Sequence, residues 1–189
     1  MFMKVARILI AIVAVVVGAS VLWKNLQTSK ANKGVHEAQA AMAAGNESLK
    51  NVLDDIKPLV DDENIRAFPN NRGMFMPKAK DLSELLGKAS EQYRVAADKF
   101  QKASDEIADP VLKEYWMLSK DSIEKMADSK DEFRKIATAW MDESLKEWDS
   151  LNFRIREALN KGDALDDEAK AIAAKALKIH DEHKDKFEN

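Results

Sequence analysis

The chain of 189 residues has no cysteine, six glycines, four prolines and two tyrosines. Without cysteine there is no disulfide, no thiolate metal site and no thiol nucleophile, and either side of a membrane remains open to it. Scarce glycine and proline argue against a fold of many short strands and tight turns. Beyond Leu26 the β-branched and aromatic strand formers thin out, and Ala, Leu, Lys, Glu and Asp dominate. That usage favours long helices. Charge of one sign is not in excess either: 33 acidic residues face 30 basic ones, a formal net of −3. A mixed, mildly acidic surface lacks the basic footprint of a phosphate-backbone binder, so nucleic acid is not an expected partner.

One stretch departs from this charged background. From Ile8 to Trp23 there is no charge, and Ser20 is the one polar side chain. A bilayer core of about 30 Å needs roughly 20 apolar residues as helix, because every backbone amide must be bonded internally. Arg7 and Lys24 flank the run and can snorkel, and Trp23 suits the headgroup zone. A cleaved signal peptide is the rival reading, with Lys4 and Arg7 as its basic start and Gly18, Ala19 and Ser20 near a cleavage site. Apolar residues continue past that site through Val21, Leu22 and Trp23, which favours an uncleaved membrane anchor over Val5 to Trp23. Flanking charges are nearly balanced, and the basic start points to a soluble domain outside the cytoplasm.

The expected organisation is an anchor over residues 1–24, a basic neck over 25–34 and an all-α, antiparallel helical bundle of about four helices over 35–189. Val35, Ala38, Met42, Gly45, Leu49, Val52, Ile56 and Leu59 step by three and four, a coiled-coil-like seam that predicts one helix to about Leu59. Residues 61–77 are irregular around Pro69-Asn70-Asn71-Arg72-Gly73. Ala79, Leu82, Leu86, Ala89, Tyr93, Ala96, Phe100, Ala103 and Ile107 then form the strictest seam in the chain. Asp109-Pro110 reads as an N-cap and first helical residue. A third helical region is expected from Pro110 to about Lys161, with Trp116, Trp140 and Trp148 on its apolar face and a bend between Trp140 and Leu145. Gly162 and Asp163 read as a C-terminal cap and a new N-cap.

Candidate chemistry is sparse. His180 and His183 share a helix face, but His36 is the only other histidine, so a metal site lacks ligands. Ser122-Ile123-Glu124-Lys125 matches the Ser-x-x-Lys string of penicillin-recognising enzymes, without the companion Ser-Asp-Asn or Lys-Thr-Gly. No phosphate loop, dinucleotide fingerprint or nucleophile elbow occurs. The expectation is no catalytic residue, no cofactor and no enzyme.

Tyr93 to Ala103, followed by Asp109-Pro110 and Trp116, resembles the second helix of a tetratricopeptide repeat and the start of the next. The resemblance covers about 20 residues and implies a protein-binding scaffold. A heptad bundle selects the same Tyr, Ala, Phe and Ala spacing.

The function expected is a membrane-anchored, non-enzymatic scaffold or spacer at the cell envelope, with a protein partner or self-association. The alternative is an extracytoplasmic ligand-sensing bundle. The partner site is expected at Ile65, Phe68, Met74, Phe75 and Met76, since an ordinary solvated turn would be polar. Two roles are open for these side chains: an adaptable exposed patch, or a plug folded into the end of the bundle.

Overall fold

The strict seam of residues 79–103 does become the centre of the molecule. A computed structural model describes residues 30–50 and 52–187; the expected anchor over Val5 to Trp23 lies outside the described residues. The elements are α1 (Lys30–Ser48), α2 (Val52–Leu59), α3 (Asp62–Arg66), α4 (Arg72–Asp105), α5 (Pro110–Met141), α6 (Trp148–Glu182) and α7 (Lys184–Phe187). The fold is all-α, with no strand among the described residues, and α4, α5 and α6 form an antiparallel bundle.

Each long helix packs along its neighbour in sequence. Gly34 meets Ala103 and Gly45 meets Tyr93, which lays α1 antiparallel on α4. Arg94 pairs with Asp128 and Asp131, and Arg134 Nε donates to Ser83 Oγ, which does the same for α4 and α5. Ser122 bonds to Ala169, and Lys130 to Asp166, between α5 and α6. On α4, every seam residue from Ala79 to Ala103 is buried, and Ile107, just past the helix end, is half-buried. Asp109 caps α5 as its side chain predicts, accepting from the amides of Val111 at 2.8 Å and Leu112 at 3.2 Å.

Four expectations about helix limits are corrected. The 61–77 segment is not irregular throughout, since α3 lies within it and α4 starts at Arg72, ahead of Pro77. The first seam is buried throughout, but its helix stops at Ser48. Gly45 and Asn46 are weak helix formers, and Ser48 Oγ bonds back to the Ala44 carbonyl, competing with the ladder there. Between Met141 and Trp148 the chain reverses outright instead of bending. The Asp142 carboxylate accepts from both the amide and the hydroxyl of Ser144, closing a turn that needs neither Gly nor Pro. Conversely, α6 runs through Gly162 without a break. That glycine serves packing: a Cβ there would sit 2.5 Å from the Phe133 ring.

Candidate functional site

The 61–77 segment is built by short polar ties. Asp61 caps α3 by accepting from the amides of Glu63 and Asn64. Asn64 Nδ2 donates to the Pro58 carbonyl at 2.9 Å, and Asn71 Nδ2 to the Asn64 carbonyl at 2.8 Å. These ties fold the segment inward. Ile65, Phe68 and Phe75 are buried, and the rings of Phe68 and Phe75 stand edge-on to Trp140 at 5.6 and 5.2 Å. Trp140 Nε1 donates to the Leu59 carbonyl at 2.9 Å, so the indole is satisfied as well as packed. Three of the five expected partner residues thus fill this end of the bundle. Met76 is half-buried, and Met74 is 65% exposed. At the same end α6 begins with Trp148, 40% exposed, and Phe153, 68% exposed. Trp148 was expected on the apolar face; the buried stripe of α6 starts one turn later, at Leu151 and Ile155.

The middle of the bundle holds a constellation absent from the sequence reading. Lys130 on α5 and Asp166 on α6 are both buried, and Nζ donates to Oδ1 at 2.9 Å and to Ser129 Oγ at 3.3 Å. Asp166 Oδ2 is buried with no hydrogen-bond partner among the described residues. Burial lowers the Lys130 pKa from its ordinary value, with Asp166 opposing the shift. Tyr93 on α4 donates to Asn46 Oδ1 on α1 at 2.6 Å, and burial, then the Asp166 carboxylate, raises its phenol above the usual range. Four helices therefore contribute polar groups to one waist. A signal was present in the sequence. Lys130 falls on the stripe Met126, Phe133, Ala137, Trp140, and Asp166 on the stripe Gly162, Ala169, Ala173, Ala176, both with steps of three and four.

The other candidates have structural partners. Ser122 is buried and donates to the Ala169 carbonyl at 2.8 Å, while Lys125 pairs with Glu168 at 2.6 Å, so the two side chains serve helix contacts. His180 packs on Phe187 with ring centroids 4.8 Å apart, and Phe187 on Tyr115 at 5.0 Å. No cluster of three metal-ligating side chains occurs among the described residues. A cleft of about 350 Å³ between α5 and α6 is lined by Glu132, Lys135, Arg154, Glu157 and Lys161. Its cations are engaged: Lys135 with Glu132, Lys161 with Glu157, Arg154 with Asp142.

The tetratricopeptide resemblance meets a physical obstacle, since Leu86-Gly87 and Tyr93 to Ala103 lie in one unbroken helix of 34 residues. A repeat would place a turn between them. Among the described residues no helix is long and apolar enough to cross a membrane. A scan against protein-family models, a search of curated proteins and a search of solved structures each found no match for the chain.

Proposed function

We propose that the protein is a membrane-tethered, non-enzymatic helical spacer or scaffold that presents its bundle, outside the cytoplasm, to a protein partner. The observation that carries this reading is the charge-free run from Ile8 to Trp23, bounded by Arg7 and Lys24 and followed at once by charged, helix-rich sequence. The bundle supports it in a second way. Ser122, Lys130 and Trp140 spend buried polar atoms on holding helices together, which favours the outer surface as the place for recognition. Within the expected partner site, Met74 is the outward side chain, and Ile65, Phe68 and Phe75 form the rigid support beneath it.

Alkaline carbonate extraction of membranes from cells expressing the full chain tests the tether. The full-length protein should stay with the bilayer; its release into the soluble fraction would end the proposal. Met74→Ser should then reduce partner capture without moving the melting temperature, because its side chain contributes little buried surface.

A further inference from the structure

The two halves of α6 are held to α5 by different means. Before Gly162 the buried stripe is Leu151, Ile155 and Ala158, whereas beyond it the buried residues are Asp166, Ala169, Ala173 and Ala176. Alanines remove little apolar surface from water. The larger apolar side chains of this second half, Leu165, Ile172, Leu177 and Ile179, are only half-buried, and Ile179 packs against the core. Four polar contacts join them: Ser122 to the Ala169 carbonyl, Lys130 to Asp166, Lys125 to Glu168, and Lys186 of α7 to Asp109. Each polar contact is exchanged for hydration when the helices part, so its net hold is small compared with that of apolar packing. Gly162 sits at the boundary, and a glycine inside a helix weakens the ladder and favours a kink.

We propose that residues 163–187, the part of α6 beyond Gly162 together with α7, form a strap that lifts from α5 as a unit while α1, α4 and α5 stay packed. Phe187 against Tyr115 and His180 is its latch, the one apolar insertion that α7 makes. The buried Lys130–Asp166 pair is its release point, because lifting returns both charges to water. Lifting uncovers a face of α5 that carries Tyr115, Ser122 and Lys130. Such a strap would operate with or without a membrane tether.

Amide exchange on the full-length protein tests the motion. Amides of residues 163–180 should exchange at one common rate, about tenfold or more faster than the interior of α5, as a cooperative sub-global opening does. A rate equal to that of α5, or a gradient rising steadily toward residue 187, would overturn the proposal, since a gradient is fraying. The absence of native cysteine allows a second arm. Ser122→Cys lies under the strap. Ser90→Cys lies on the α4 stripe with Ser83 and Ser104, which touch Arg134 and Met117 of α5. The thiol at position 122 should react faster than that at position 90. Adding Lys130→Met with Asp166→Leu should slow it about tenfold, because an apolar pair has no charges to rehydrate. An unchanged or faster rate at position 122 in that background would equally sink the strap.

Discussion

The ends of the bundle and its waist are built on opposite principles. One end is an aromatic cluster of Phe68, Phe75 and Trp140; the other joins Phe100, Tyr115, Trp116, His180 and Phe187. The waist between them carries Tyr93, Asn46, Ser129, Lys130 and Asp166. Large rings bury much area and tolerate no water, so the ends supply stability. An ion pair in a dry interior roughly offsets its own desolvation, so the waist adds little net stability but is intolerant of a missing partner. A single deletion should therefore cost both regions heavily, while a paired apolar replacement should be tolerated at the waist alone.

Removing one member of the waist is among the largest expected single-residue effects. Asp166→Ala leaves the Lys130 cation buried alone and should cost about 3–5 kcal/mol, read from urea unfolding. The deficit should shrink as pH rises toward 10.5, the lysine's ordinary value. Burial already depresses Lys130, the unfolded chain binds the proton more tightly, and stability therefore rises with pH through that window. Lys130→Met with Asp166→Leu should restore the wild-type midpoint or exceed it, and failure to do so would erase the distinction between waist and ends. At the aromatic end, Trp140→Ala should cost a comparable 3–5 kcal/mol, about what a cavity and the orphaned Leu59 carbonyl imply. Pairing it with Phe75→Ala should deepen the loss, again by urea titration.

Tyr93→Phe is a smaller perturbation. It removes the hydroxyl from Asn46 and leaves the ring in place, for a loss of about 1 kcal/mol. A loss several times larger would show that the phenol also supports Asp166. The finest comparison is with the exposed turn that joins α5 to α6. The Ser144 hydroxyl and amide, then Arg154, hold the Asp142 carboxyl down at about 2 against an ordinary 3.8. Its contribution is full above about pH 4 and disappears as pH falls through about 2, which carbon-detected titration of Asp142 would follow. An ordinary carboxylate midpoint there would mean that the turn is open in solution.

Where a single periodicity ran without interruption, the sequence was legible. The seam of α4 and the cap at Asp109 are where their spacing puts them, because a three-and-four step and a carboxylate before Pro110 each have one inexpensive solution. The reversal after Met141 was read as a bend because Asp142 and Ser144 make a turn from residues equally at home on a helix surface. Gly162 was read as a cap because a glycine that ends a helix and one that makes room for a ring look alike until Phe133 is placed beside it. For the 61–77 segment, apolar composition alone does not separate plug from patch. The bonds of Asn64 and Asn71 turn Phe68 and Phe75 inward, while Met74 faces out. The waist is not legible in the sequence residue by residue, because Lys130 and Asp166 each resemble ordinary surface charges and their meaning lies in their pairing across 36 residues.

Asp109 has a double role with a consequence in time. Its Oδ1 caps α5, while its Oδ2 receives Lys186 from a position 77 residues later. At about 5–20 residues per second of synthesis, roughly 4–15 s separate the appearance of the two partners. Until Phe187 is made, Tyr115 on α5 lacks one of the ring partners that it has in the finished fold, so this end of the bundle is completed last.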